Sequence, residues 1–521
     1  MKNELNVDSS ILQFTPKGEY YDTAEAKDAA YNETVDGLFD FNRVLFALLG
    51  MLPGTAYSHG VFAHKLLSNP QYPDATSTAI IKSGVDPDYE VRIILLALQR
   101  ETQPRALKNL IMLTGKGKYK AINNARARRV ILTYLFDRDP RSLDSLVTKY
   151  KSKVEKLLRH AVGIQHLSAM LDEDESLDRR MELYDKYIGK YFRNGNGLVP
   201  VYHLFNKDWP DNLNGTVDFP KVAAYGRLRV LAKAGDSAAF LAQYKKANLP
   251  VEVGIGFKNT FKLNISNADI MDTGRKTERQ KIQMQTAAKR AGTKIAIDYH
   301  KQDVYDLWKY FYHELLKTDT DTRELSMIYD AITTNTISKL PLNLGDIGIV
   351  FDVSRSMMGT EDRKLHPFLT SLSIISAFDG IAAVKYVGGK MMDTGMYLAP
   401  KAIVPEDSDE ELTSDLLEAM AERVDTLIFI SGGHNLEINR AISDYYQDRK
   451  KKNVDVLHIN PLYDAESGGA KRISGHVKPM AVNDYRHLET NLVFDLLISH
   501  PEEIIGLLSG RYVKLLKPRT R

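Results

Sequence analysis

The chain has 521 residues, 43% of them hydrophobic and 26% charged, with a formal net charge of +3. That length exceeds one ordinary core, so two or more domains are expected, and the balanced composition argues against extensive disorder. No cysteine is present, which excludes disulfides, thiolate metal sites and cysteine nucleophiles.

The opening residues, MKNELNVDSS, lack the apolar core of a secretory signal, and no window nears 18 uninterrupted apolar residues. The expectation is an intracellular, cytoplasmic protein with no membrane span. Residues 1–20 read as an N-terminal arm. From about 21 to 340 the apolar residues recur at three- and four-residue spacing, the pattern of amphipathic helices. VDGLFDFNRVLFALLGML is predicted helical, ended by Pro53 and Gly54. PDYEVRIILLALQRET and QPRALKNLIMLTG follow, each with a proline near its start, where the missing N–H is tolerated. NNARARRVILTYLF, RSLDSLVTKYKSKVEKLLRHAV and SLDRRMELYDKYIGKYF continue the series. Short polar breaks between helices of ten to twenty residues predict stacked helical pairs, an α-solenoid, although no sequence motif repeats cleanly.

Charge concentrates in this region. Residues 101–160 hold fifteen Lys/Arg against five Asp/Glu. Lys116, Lys118 and Lys120 lie in GKGKYK, Arg126, Arg128 and Arg129 open the next helix, and Lys149, Lys151, Lys153, Lys156 and Arg159 come one helix later. Adjacent helices would gather these groups on one surface, the footprint of a nucleic-acid binder with strongly salt-dependent affinity. Tyr119 and Tyr150 interleave with the lysines as candidate base-stacking rings, and His160 is a candidate phosphate donor. The alternative is a solvated helix face, since Lys149, Lys153 and Lys156 follow helical spacing, with Tyr150 as core packing.

Near 340 the character changes. IGIVFDV is a continuous apolar run, expected for a strand buried on both faces, and AAVKYVG, TLIFIS and VDVLHIN are further strands. Helical patterns HPFLTSLSIISAF, ELTSDLLEAMAER and LEINRAISDYYQDRKKK lie between or after them, with a last helix in HLETNLVFDLLIS. Alternation of strand and helix predicts a doubly wound α/β domain over 341–521.

The stretch DIGIVFDVSRSMMG delivers Asp352, Ser354 and Ser356 just past the first predicted strand, where ligands bind in open α/β sheets. One carboxylate with neutral hydroxyls suits a hard, partly hydrated cation such as Mg²⁺. All three residue types also favour helix caps, which is the alternative. FDVSRSM resembles the DxSxS signature of von Willebrand factor A domains and their metal-ion-dependent adhesion site (MIDAS). That resemblance implies a threonine ligand, Thr413 in ELTSDLLEAM, and an aspartate after the later strand, where this chain reads Ser431, Gly432, Gly433. Gly432 thus replaces the expected aspartate and weakens the implied site. His434 is a candidate polar substitute or an ordinary loop histidine, and EDSDEE at 406–411 is a candidate cation holder or the acidic start of the next helix.

A von Willebrand A domain behind a helical region resembles the Ro/TROVE family. The likeness lies in architecture, length and the texture of ARARRVILTYLF followed by LDSLVTKYKSKVEKLLRHAVG. It implies a HEAT-like helical-repeat solenoid or ring that binds Y RNA-like or misfolded noncoding RNA in a ribonucleoprotein, without catalysis. The rival reading is an assembly module, its A-type domain binding a protein partner's carboxylate through a cation and its helices serving as scaffold.

Enzyme motifs fail on inspection. VGGKMM and TGKGKYK lack the glycine spacing and the hydroxyl after lysine that a P-loop needs, and GIGFKNTFK lacks the third glycine of a dinucleotide fingerprint. Neither HExxH nor GxSxG occurs.

Overall fold

The computed structural model describes residues 24–41, 46, 56–68, 89–115, 119–172, 174–192, 198–205, 218–276, 280–282, 284, 296–316, 322–335, 344–359, 364–378, 382–391, 403–406, 412–449, 454–461, 473, 477, 479–482, 484–488 and 491–493. Chain contacts separate two compact units: Ala56–Thr277 with Tyr512–Arg521, and Met1–Thr55 with Glu278–Arg511. Helix α1 (Ala24–Phe41) counts with the second. None of the described helices is long and apolar enough to cross a membrane.

The first unit is helical. Its elements are α2 (Ala56–Ser68), α3 (Tyr89–Arg100), α4 (Gln103–Leu113), α5 (Ala125–Phe136), α6 (Pro140–Lys149), α7 (Lys151–Val162), α8 (Ile164–Leu171), α9 (Leu177–Tyr184), α10 (Leu198–Phe205), α11 (Pro220–Lys233), α12 (Ser237–Ala247), α13 (Val251–Phe261) and α14 (Asn267–Thr273). Local chemistry starts many of them. Asn124, Asp139, Ser176, Asp236 and Ser266 each accept a backbone N–H of the first turn, which satisfies an otherwise orphaned donor. Packing pairs α2 with α4, α3 with α5, α5 with α7, and α6 with α11.

One junction departs from expectation. The predicted helix over 141–162 is two helices with a corner at Tyr150, whose φ of −119° and ψ of 34° leave the helical region. Buried Leu143, Leu146, Val147, Val154, Leu157, Leu158 and Ala161 keep three- and four-residue spacing through the corner, so periodicity carries no trace of it.

The second unit is built on a five-stranded sheet. Strands β1 (Ile347–Asp352), β2 (Ala382–Val387), β5 (Thr426–Ile430), β6 (Asp455–Asn460) and β7 (Pro479–Ala481) run parallel in the order β2-β1-β5-β6-β7, and β3 (Lys390–Met391) pairs antiparallel with β4 (Ile403–Val404) beside it. Both faces are covered. Ile347, Ile349, Phe351, Ile428 and Ile430 share one core with α15 (Val304–Leu315), α16 (Thr322–Asn335) and α17 (His366–Ser376). Val350, Leu427 and Phe429 share another with α18 (Ser414–Ala421) and α19 (Leu436–Asp444). Double burial is why the strands read as unbroken apolar runs. Because α15 and α16 belong to this core, the change of sequence character near 340 marks a change of element type inside the unit that begins again at Glu278. Among the residues of HLETNLVFDLLIS, only His487, Leu488 and 491–493 are described.

Candidate nucleic-acid interface and a switch-point oxygen cluster

The strand order reverses direction between β1 and β5, and in such sheets ligands sit beyond the carboxyl ends of the strands at that crevice. Register aligns Phe351 with Ile430, so Asp352 and Ser431 leave the sheet side by side. Ser431 Oγ donates to Asp352 Oδ2 at 2.7 Å, and the Ser354 N–H donates to Asp352 Oδ1 at 3.0 Å. The Ser354 and Ser356 hydroxyls stand 2.9 Å apart. Gly433, at φ +73°, turns its N–H onto Ser431 Oγ at 3.0 Å. From β6, His458 Nε2 donates to the Ser431 carbonyl at 3.0 Å and Asn460 Nδ2 to that of Gly432 at 3.3 Å. Gly432 and Gly433 are therefore both held by their backbone.

Asp352 is 1% exposed. Burial raises its pKa, and Ser354, Ser431 and the nearby Asn435 side chain oppose that shift by favouring the ionised form. Burial likewise pushes His458 down to about 4, so it is neutral at pH 7. The helix-cap alternative does not describe the loop: Ser354 makes no side-chain cap to the one-turn 3₁₀ segment Arg355–Met358, and α17 begins only at His366. Thr413 does cap a helix: it is exposed and accepts the Leu416 N–H at 3.3 Å as N-cap of α18. The donor set fits a hydrated Mg²⁺ on one count: an octahedron with Mg–O of about 2.1 Å has edges of about 3.0 Å, close to the 2.9 Å spacing of the two serine hydroxyls, which also suits their mutual hydrogen bond. Within EDSDEE, Glu406 donates its N–H to the Val353 carbonyl at 3.1 Å, and 407–411 lie outside the described residues.

The basic residues of the helical unit fall into distinct settings. Lys116 and Lys118 lie outside the described residues, and the Lys120 carbonyl accepts from His64 at 2.9 Å. Tyr119 packs edge-on against the His64 ring at 5.1 Å. Arg126 points inward: its guanidinium pairs with Glu90, 1% exposed, and reaches the Leu67 carbonyl. Arg128 is exposed and bonds the Asn123 side chain at 2.7 Å, while Arg129 is exposed and close enough to Tyr191 to oppose the rise that burial gives that phenol's pKa. Arg159 forks onto Glu155 at 3.0 and 2.8 Å and lies 5.0 Å from the Phe205 ring centre. His160 Nε2 bonds the Ile122 carbonyl at 2.8 Å, so this nitrogen is engaged within the fold.

Lys149, Lys151 and Lys153 share a different property. The first and third place their ammonium groups 5.5 and 5.8 Å from the centre of the Tyr150 ring, and Lys151 lies 5.6 Å from that of Tyr225. The corner at Tyr150 is what brings two lysines onto one ring. Tyr225 and Arg229, four residues apart on α11, face Lys151, and neither figured in the sequence reading. The only local hint was an aromatic and an arginine at i, i+4 in a helix with buried neighbours.

Scans of the chain against models of known protein families and against curated proteins find no match.

Proposed function

We propose that this chain is a non-catalytic RNA-binding protein like those of the Ro/TROVE family, taking structured or misfolded noncoding RNA on the helical unit. The observation that carries the reading is that Lys149, Lys151 and Lys153 lodge against aromatic rings, with no carboxylate among the described residues within ion-pair distance of any of the three. Cations held this way remain available to phosphate, and the half-exposed Tyr150 ring offers a stacking surface for an unpaired base. Sequencing of RNA copurified from the native cell tests it, with Lys149→Glu/Lys153→Glu as control. Enrichment of a few structured RNAs that disappears in the control supports the reading, and an unselective sample with both proteins refutes it.

A second reading concerns the sheet unit, where Asp352, Ser354 and Ser356 converge at the switch point. These three would hold a hydrated Mg²⁺ that accepts a carboxylate from a protein partner, consistent with a von Willebrand A-like unit acting in assembly. Thr413, engaged as a helix cap, is left out of that ligand set. Calorimetric titration with Mg²⁺ separates the outcomes: heat from the parent protein and none from Asp352→Ala supports a cation site, and equal negligible heats reject it.

A further inference from the structure

Helix α11 is seated from below by a buried carboxylate. Asp144, on α6, accepts the Lys221 N–H at 2.9 Å and the Val222 N–H at 2.8 Å, capping the helix across the fold. Their i, i+4 spacing on this helix puts Tyr225 and Arg229 on one face. The Arg229 Nε is buried and has no hydrogen-bond partner among the described residues, and no carboxylate there pairs with its guanidinium. Lys151, the first residue of α7, stands against the same face with its ammonium group 5.6 Å from the Tyr225 ring centre. From α10 the buried His203 ring packs edge-on against Tyr225 at 4.8 Å.

Three helices thus bring together two cations, Lys151 and Arg229, and a buried imidazole. Burial and then the Arg229 charge depress Lys151, and burial with both cations holds His203 well below its ordinary value, hence neutral. The carboxylate that acts on Lys151 is Glu155, which is already bonded by Arg159. Two like charges drawn partly out of water, one with an orphaned donor, form an arrangement that an oxyanion would relieve. An arginine fork matches two oxygens of such an anion, and a lysine supplies a point charge to a third.

We propose that Lys151 and Arg229 form a binding site for a phosphate group, with Tyr225 as its floor. Two cations match the dianion of a terminal phosphate better than the single charge of a bridging diester. The source of that group is either the end of an RNA, which rests on the RNA-binding reading above, or free phosphate, which does not.

The test uses the full chain. Thermal unfolding is followed with inorganic phosphate and with sodium chloride at equal ionic strength, for the parent protein, Arg229→Gln and Lys151→Gln. In parallel, binding of one short RNA is measured with a 5′-phosphate and with a 5′-hydroxyl end. The expected result is a rise of about 3 °C for the parent protein with phosphate near ten times its Kd, absent in both variants. A tenfold preference for the phosphorylated RNA that collapses in Arg229→Gln makes the RNA end the source. Selective stabilisation by phosphate without that preference makes free phosphate the source, and if neither RNA binds, the RNA reading falls while the site stands. RNA binding that ignores the end group, with no phosphate effect or an equal one in parent and variants, overturns the site and leaves the RNA reading intact.

Discussion

Ser431 Oγ donates a 2.7 Å hydrogen bond to Asp352 Oδ2, joining the ends of the two strands between which the sheet reverses its order. Asp352 is almost wholly buried, so this bond serves a carboxylate with little water to turn to. Replacing Ser431 by alanine is expected to lower stability by about 1.5–3 kcal/mol, the range for hydrogen bonds to charged groups. Ser431→Thr is expected to keep most of it. Urea unfolding of the three proteins checks this, and an unchanged midpoint for Ser431→Ala would show that Asp352 does not depend on the bond.

Arg126 is expected to matter for folding more than for ligand binding. Its partner Glu90 is 1% exposed, and removing one member of a buried ion pair costs about 3–5 kcal/mol because the other charge is stranded. Arg126→Ala should therefore lower the melting temperature sharply, whereas Arg128→Ala and Arg129→Ala, both exposed, should not. The double change Arg126→Met/Glu90→Leu should recover much of the loss. If Arg126→Ala melts like the parent protein, the pair carries no weight.

Asp144 gives a pH-dependent prediction. Burial raises its pKa despite the two N–H bonds and the Lys221 charge. A carboxyl with a higher pKa folded than unfolded contributes its full stability below the unfolded value and loses that contribution as pH rises through the folded one. The stability of the parent protein relative to Asp144→Asn should accordingly be largest near pH 4 and shrink toward pH 7. Chemical denaturation of both proteins across that range reads the difference, and a margin that grows with pH would contradict the raised pKa.

Lys151 gives the opposite sign. Its pKa is lowered to about 8 from 10.5 by burial and Arg229, with Glu155 opposing, while the neighbouring His203 is neutral. The group's contribution to stability is full above 10.5 and is lost as pH falls through about 8. A bound anion favours the charged form, so affinity for inorganic phosphate should be highest below about pH 8 and weaken as pH rises beyond it. Lys151→Arg, charged throughout, should flatten that profile in calorimetric titrations from pH 7 to 10. A parent profile as flat as the variant's would remove Lys151 from the site.

The local part of this architecture was legible in the residues. Strands β1, β2, β5 and β6 fall on IGIVFDV, AAVKYVG, TLIFIS and VDVLHIN, and β1 and β5, buried at every position, are apolar at consecutive positions because both of their faces are covered. The helices of the first unit follow their spacing and caps, which depend on residues three or four apart. The placement of Asp352 at the end of β1, with Ser354 and Ser356 just past it, followed in the same way.

Tertiary structure alone decided the rest. The pairing of β1 with β5 sets Ser431 on Asp352, and the burial of Glu90 turns Arg126 inward although it looks, in sequence, like its neighbours Arg128 and Arg129. The corner at Tyr150 is hidden because the apolar spacing runs through it, and it divides the lysines between Tyr150 and Tyr225. Arg229 reaches Lys151 from α11, a helix that Asp144 caps from α6. Periodicity and capping report interactions within one turn of the chain, whereas these contacts join residues far apart in sequence and form only when whole elements pack and choose which charges leave water.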